Sequence, residues 1–178
     1  MNGFRNAVLP IKASANAPFR SMFLMNRPFH PLLRREGAFP PAGNACFARS
    51  GFISRNNDDP TAEATFDFLQ EARLKPSQFL IWNTVPWWND TRKLTAAEIK
   101  AGLECLEALL KLLSRVRVVT LVGKHAQQVA SDLKGIKVMT GKKVFESFHP
   151  SPLVRANHPD KWLSIPEVWK QARKYIGN

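Results

Sequence analysis

The sequence predicts an α/β fold of three layers (α/β/α), in which helices cover both faces of a short central parallel sheet. Two observations lead to this prediction. Short apolar segments rich in valine, isoleucine and aromatic residues are typical of buried strands, and longer segments of helical periodicity lie between them. Strands that alternate with helices along a chain form parallel sheets with helices on both faces.

The predicted strands are short runs of β-branched and aromatic residues. Phe79-Leu80-Ile81-Trp82 follows the break Lys75-Pro76-Ser77, and a valine-rich run begins at Arg117. Trp82 is expected in the core rather than in a pocket. The predicted strands span 21–25, 79–82, 117–122 and 136–140, and a further short apolar strand precedes His149.

The predicted helices have recognisable first turns. Thr61 or Asp59 is an N-cap candidate for the first helix. A capping box, Thr95-x-x-Glu98, opens a long amphipathic helix. The predicted helices span 61–72, 95–114, 123–133 and 166–175.

The chain changes in character near residue 50. Residues 1–50 hold six of the thirteen prolines and show little periodicity apart from the strand-like run at 21–25. We therefore divide the chain into an atypical basic, Pro-rich segment over 1–49 and an α/β domain over 50–178.

The net charge of +12 favours a polyanionic partner, because neutralising phosphates releases counterions and supplies most non-specific DNA affinity. Charge alone also suits RNA or a membrane surface. No apolar run approaches the roughly 18 residues that span a bilayer, and the first residues make a poor secretory signal. We expect a cytoplasmic monomer with no membrane association.

The two cysteines, Cys46 and Cys105, are far apart, which argues against a disulfide framework or a cysteine-rich metal site. Cys105 lies in an apolar helical pattern and is expected to be buried. His149, His158 and Asp160 match no metal-ligand spacing, so we expect neither a metal nor a cofactor.

The run Ser147-Phe148-His149-Pro150-Ser151-Pro152-Leu153 places a histidine between a strand and a stiff turn. Two prolines fix the backbone, so the loop loses little entropy on binding. Ser151 can offer a hydroxyl and a backbone N–H to a phosphate. The alternative is a rigid loop with a surface histidine.

Asn83 follows the strand 79–82, at the strand end where ligands bind in open α/β sheets. Its amide can read a base edge through one acceptor and two donors, although a simple capping role is the alternative. Lys124, in the turn after the strand 117–122, is a candidate phosphate contact at the same edge.

Together these runs resemble the uracil-DNA glycosylase superfamily, over roughly Ser50 to Trp169. The resemblance implies a uracil-DNA glycosylase-like fold in which Asn83 hydrogen-bonds a flipped uracil and His149 contacts the same base as the catalytic residue. It also implies that the segment beginning at Ser50 supplies Phe52 to stack on the uracil. The same likeness gives Ser151 a DNA-backbone contact and lets Leu153 fill the vacated stack.

The chain departs from this family in its first motif. No GxDPY, GEAPG or GINPG run is present, and Met25-Asn26-Arg27-Pro28 is the best positional match for the water-activating segment. One hypothesis is that part of residues 1–49 replaces the usual first βα unit through divergence, truncation or a change of reading frame. The expected function is hydrolytic release of uracil or a related damaged base from DNA. The alternatives are a catalytically inactive DNA- or base-binding module and a protein that binds free nucleotides.

Overall fold

The computed structural model describes residues 18–25, 55–56, 58–87 and 93–177. Four strands form one parallel sheet in the order β2-β1-β3-β4. The strands are β1 (Ser21–Met25), β2 (Phe79–Asn83), β3 (Val118–Val122) and β4 (Lys143–Ser147). The helices are α1 (Pro60–Glu71), α2 (Ala96–Leu112), α3 (Lys124–Gln127), α4 (Ala130–Gly135), α5 (Pro152–Asn157) and α6 (Pro159–Ile176).

Two apolar clusters, one on each face of the sheet, make the fold three-layered. Successive residues of β1 alternate between the clusters: Met22 and Leu24 pack with α2 and α4, and Phe23 and Met25 pack with α1 and α6. All five residues of β1 are buried, as is expected for an interior strand of a parallel sheet covered on both faces. The predicted three-layer α/β architecture with a parallel sheet is confirmed.

The strand register aligns all four strand ends at one edge of the sheet. Met25 is level with both Asn83 and Val122, and Val122 is level with Ser147. We call the edge formed by these four residues the carboxyl edge. Residues that end or follow the strands are therefore brought together there, although they are far apart in sequence.

The helix starts follow from their caps. The Asp59 carboxylate accepts hydrogen bonds from the N–H groups of Thr61 and Ala62 and caps α1. The Thr95 hydroxyl accepts from the Glu98 N–H, and the Glu98 carboxylate accepts from the Thr95 N–H, which confirms the predicted capping box.

The strand predicted over 136–140 is wrong. This segment is a 3₁₀ turn (Lys137–Met139) in which the Met139 N–H donates to the Ile136 carbonyl. Its apolar residues pack on the cluster beneath α2, so their hydrophobicity reflects burial of a turn. The helix predicted over 123–133 is two short helices, α3 and α4.

Two further expectations about the helices need correction. The terminal helix begins at Pro159 and not at Pro166, because Pro159 occupies its first turn and Pro166 lies inside it. Cys105 is exposed. The buried stripe of α2 contains Leu106 and Leu109, and Cys105 lies one residue off that stripe. Trp82 is in the core, as predicted.

Candidate active site

Asn83 is the last residue of β2 and lies at the carboxyl edge. It is 5% exposed. The backbone that follows it is fixed, because the Thr84 N–H donates to the Met25 carbonyl at 2.8 Å and the Thr84 hydroxyl reaches the same carbonyl at 3.4 Å. The amide of Asn83 is therefore attached to backbone held by the neighbouring strand.

Residues 148–151 follow β4, and we call them the His149 loop. The loop starts from a well-anchored residue, since the Ser147 carbonyl accepts hydrogen bonds from the Gly123 N–H at 2.8 Å and the Gln127 Nε2 at 3.0 Å. The Ser147 hydroxyl accepts from the Trp169 Nε1 at 3.0 Å and donates to the Phe148 carbonyl at 3.1 Å. Four hydrogen bonds thus fix the direction in which the loop leaves the sheet.

His149 packs against the backbone of Gly123. A Cβ atom placed on Gly123 would lie 2.9 Å from the His149 Cβ and 3.2 Å from its Cδ2. Gly123 has a φ of +85°, a conformation that glycine adopts without the steric cost of a side chain. The imidazole is half-buried and its Nε2 atom is shielded from solvent. The histidine is therefore held in place by close backbone contact.

Ser151 and Leu153 stand at the start of α5. The Ser151 N–H donates to the His149 carbonyl at 2.8 Å, so it already has a partner within the loop. The Ser151 hydroxyl makes no capping hydrogen bond to α5. Leu153, in the first turn of α5, is 71% exposed. Such an exposed leucine beside an anchored loop is free to contact a partner.

Two cations lie near the His149 loop, which itself carries an exposed aromatic ring. Lys124 is exposed directly after Gly123, at the carboxyl edge. Phe148 is 39% exposed, and the Lys161 amine lies 5.3 Å from the centre of its ring. The positive charges of Lys124 and Lys161 would attract DNA phosphates to this side of the molecule.

The sheet order sets the separation between Asn83 and the His149 loop. They belong to the two outer strands, β2 and β4, and the ends of β1 and β3 lie between them. Three strand spacings place the ends of β2 and β4 about 14 Å apart. A flat ring lying over the ends of β1 and β3 would have an amide on one side and an imidazole on the other.

A comparison with protein families identifies the family of the chain. A model of the uracil DNA glycosylase superfamily matches residues 28–173. The chain belongs to this superfamily. The match starts inside the predicted segment 1–49, whereas the resemblance found in the sequence begins at Ser50. It ends at residue 173, four residues after the end of that resemblance at Trp169. A comparison with curated proteins found no match.

Membership in the superfamily indicates a DNA glycosylase type of function, since its members are typically hydrolases that act on DNA.

Among the helices of the described residues, none combines the length and apolar character needed to cross a membrane. Within the same residues, no group of three or more His, Cys, Asp or Glu side chains could hold a metal ion.

The structure brings together five of the six site residues predicted from the sequence. Asn83 lies at the carboxyl edge, and the others follow β3 or β4 near it: Lys124, His149, Ser151 and Leu153. The sixth, Phe52, lies outside the described residues, as does Asn26. The roles of all six stay predictions.

Sequence reasoning missed the residues that support the site. Trp169 and Gln127 bind Ser147, and Gly123 makes room for His149. The spacing of these residues along the chain gives no signal for the contacts. Gly102, which packs against the main chain of Thr84 next to Asn83, is the one supporting residue with a sequence signal. A glycine in the middle of a helix is unfavourable, and its presence suggests a packing reason.

Proposed function

We propose that this protein is a DNA glycosylase that hydrolyses the N-glycosidic bond of uracil, or of a related damaged base, in DNA. The main support is the placement of Asn83 and the His149 loop on either side of the β1 and β3 ends, within a family of this chemistry. Such an enzyme takes the target nucleotide out of the stack and into a pocket.

Each proposed role follows from the chemistry of the side chain. The Asn83 amide offers an acceptor and two donors, which suits the N3–H and O4 edge of uracil. As the bond from C1′ to N1 breaks, its electrons stay with the base, and negative charge develops on the uracil ring. A hydrogen bond from His149 to the O2 of uracil would stabilise that charge. Water supplies the oxygen that bonds to C1′ and the proton that the base finally takes up.

The DNA contacts are proposed for Ser151, within the His149 loop, and for the exposed residues Leu153 and Lys124 near it. Leu153 fills the space that the flipped nucleotide leaves, while Ser151 and Lys124 hold phosphates. The Ser151 contact is made by its hydroxyl, because its N–H is bonded to His149. Phe52 is proposed to stack on the uracil face.

Single-turnover release of uracil from a labelled oligonucleotide tests this proposal. The same oligonucleotide with thymine is the substrate control. Wild type should release uracil, and Asn83→Ala and His149→Ala should each lose about 10²-fold or more in rate, as when one transition-state hydrogen bond is removed. His125→Ala and Asn157→Ala are matched controls on exposed residues and should keep the wild-type rate.

The other outcomes separate the alternatives. Uracil-dependent binding without release would refute the hydrolase and support the inactive binding module. Neither release nor a preference for uracil-containing DNA would refute both. Full activity in His149→Ala would refute the catalytic role of His149 but not the proposed glycosylase activity.

A further inference from the structure

We infer that Gly102 is a positioning residue for base recognition. It allows helix α2 to touch the backbone that follows Asn83 and so fixes the direction of the amide that reads the base. The inference rests on the proposed function, in which Asn83 is the base-reading residue. It adds a residue on a helix that contributes no other group to the proposed site.

Gly102 is at an unfavourable place for a glycine. It lies in the interior of the 17-residue helix α2 and is buried. Glycine in a helix interior is less favourable than alanine, because it loses more backbone entropy on folding. A packing contact that alanine could not make would account for its presence there.

The close contact is with the residue after Asn83. A Cβ atom on Gly102 would lie 2.3 Å from the carbonyl oxygen of Thr84 and 3.2 Å from Val85 Cγ2. Real Cβ contacts are essentially never shorter than 3.0 Å, and here the obstacle is backbone. Any side chain at position 102 would have to push α2 and Thr84 apart.

Thr84 is held on its other side as well. Its N–H donates to the Met25 carbonyl at 2.8 Å, and Met25 is level with Asn83 in the sheet. The segment 83–84 is thus clamped between β1 and α2. Asn83 and Thr84 share a peptide group, so a displacement of Thr84 turns Asn83 as well. A misplacement of about 1 Å in a site of this kind can cost about 10²-fold in rate.

Gly102→Ala tests the inference, and Gly135→Ala is its matched control. Gly135 is also helical, and a Cβ atom there would meet nothing within 4 Å. The main measurement is the ratio of affinities for DNA with 2′-fluoro-2′-deoxyuridine, which presents uracil on a glycosidic bond that resists hydrolysis, and DNA with a tetrahydrofuran abasic site, which lacks the base. We expect Gly102→Ala to reduce this ratio at least 10-fold and Gly135→Ala to leave it unchanged.

A double-mutant cycle separates positioning from general destabilisation. If Gly102 acts through Asn83, Gly102→Ala should reduce the ratio no further in an Asn83→Ala background, because coupled residues are not additive. The same further reduction in both backgrounds would overturn the inference. So would a folded Gly102→Ala protein with the wild-type ratio.

If Gly102→Ala fails to fold, the wild-type protein provides the second measurement. Titration with free uracil should shift the NMR resonance of the Gly102 Cα and leave that of Gly135 in place. An unmoved Gly102 resonance, with uracil bound, would overturn the inference. Wild type that shows no preference for uracil would instead refute the proposed function, which distinguishes the two failures.

Discussion

Replacing Gly123 by alanine should lower both the stability of the protein and the rate of uracil release, and the loss of rate should come from a displaced His149. Gly123 has a φ of +85°, and Gly141, in the turn before β4, has a φ of +77°. An alanine at a positive φ costs about 1–3 kcal/mol, and the cost should be larger at Gly123, whose ψ of 162° puts it in a region essentially restricted to glycine. For a chain of this size, each kcal/mol corresponds to about 2–4 °C in Tm. Both variants should therefore lose about 2–12 °C, and Gly123→Ala should lose more than Gly141→Ala.

Only the Gly123 variant also meets His149. Its new Cβ would lie 2.9 Å from the His149 Cβ, closer than real contacts allow, whereas nothing lies within 4 Å of a Cβ on Gly141. The His149 side chain must move, and a shift of several tenths of an ångström to 1 Å in a catalytic group costs about 10- to 10²-fold. Gly123→Ala should lose that much in the rate of uracil release, and Gly141→Ala should not.

The assay combines thermal unfolding with single-turnover kinetics at a temperature well below both unfolding midpoints. A rate deficit confined to Gly123→Ala, with both variants folded at the assay temperature, would support the reasoning. Equal rates in the two folded variants would refute it. The contact between Gly123 and His149 would then have no role in positioning the histidine.

Three further predictions concern single exposed or half-buried side chains. Leu153→Ala should slow uracil release from duplex DNA about 10-fold or more and spare single strands, whereas Leu163→Ala, equally exposed at 70%, should affect neither; equal losses would refute insertion by Leu153. In DNA binding, Lys124→Ala should reduce the magnitude of the slope of log affinity against log salt concentration by about 1. Lys111→Ala should leave the slope unchanged, because Lys111 lies at the end of α2, which leads to the start of β3 at the opposite edge of the sheet. Burial lowers the pKa of Lys142 in the folded protein, so the charged amine reduces the free energy of unfolding at any pH below that pKa. The free energy of unfolding should therefore increase as the pH rises from the lowered pKa towards 10.5. Urea unfolding measures this increase, which should be absent in Lys142→Met.

The sequence predicted the fold well where local patterns and topology agree. Buried strands such as Phe79–Asn83 and Val118–Val122 are short runs that no amphipathic helix would produce. The segment 136–140 misled because periodicity records burial and not backbone conformation. A five-residue segment with three apolar residues can pack as a turn against a helix as easily as in a sheet.

The proposed site was predictable in its polar groups for a related reason. In a parallel sheet, residues that follow different strands meet at one edge, so Asn83 and His149 could be placed together from their positions after strands. The supporting contacts were not predictable. Trp169 reaches Ser147 from a helix 22 residues further along the chain, and only the packing of α6 on the sheet brings them together.

The two polar residues proposed to contact the base share a mode of support that side-chain chemistry alone would not suggest. Asn83 is followed by backbone that touches Gly102, and His149 packs directly on Gly123. At Gly102 the missing Cβ lets the main chain of Thr84 approach the helix closely, and at Gly123 it lets the His149 side chain lie against the glycine main chain. Under the proposed function the site has to distinguish uracil from thymine, which differ by one methyl group, and close packing would hold both polar side chains in position for that. Base specificity should then depend on Gly102 and Gly123, which are not proposed to touch DNA, as well as on the proposed contacts of Asn83 and His149 with the base.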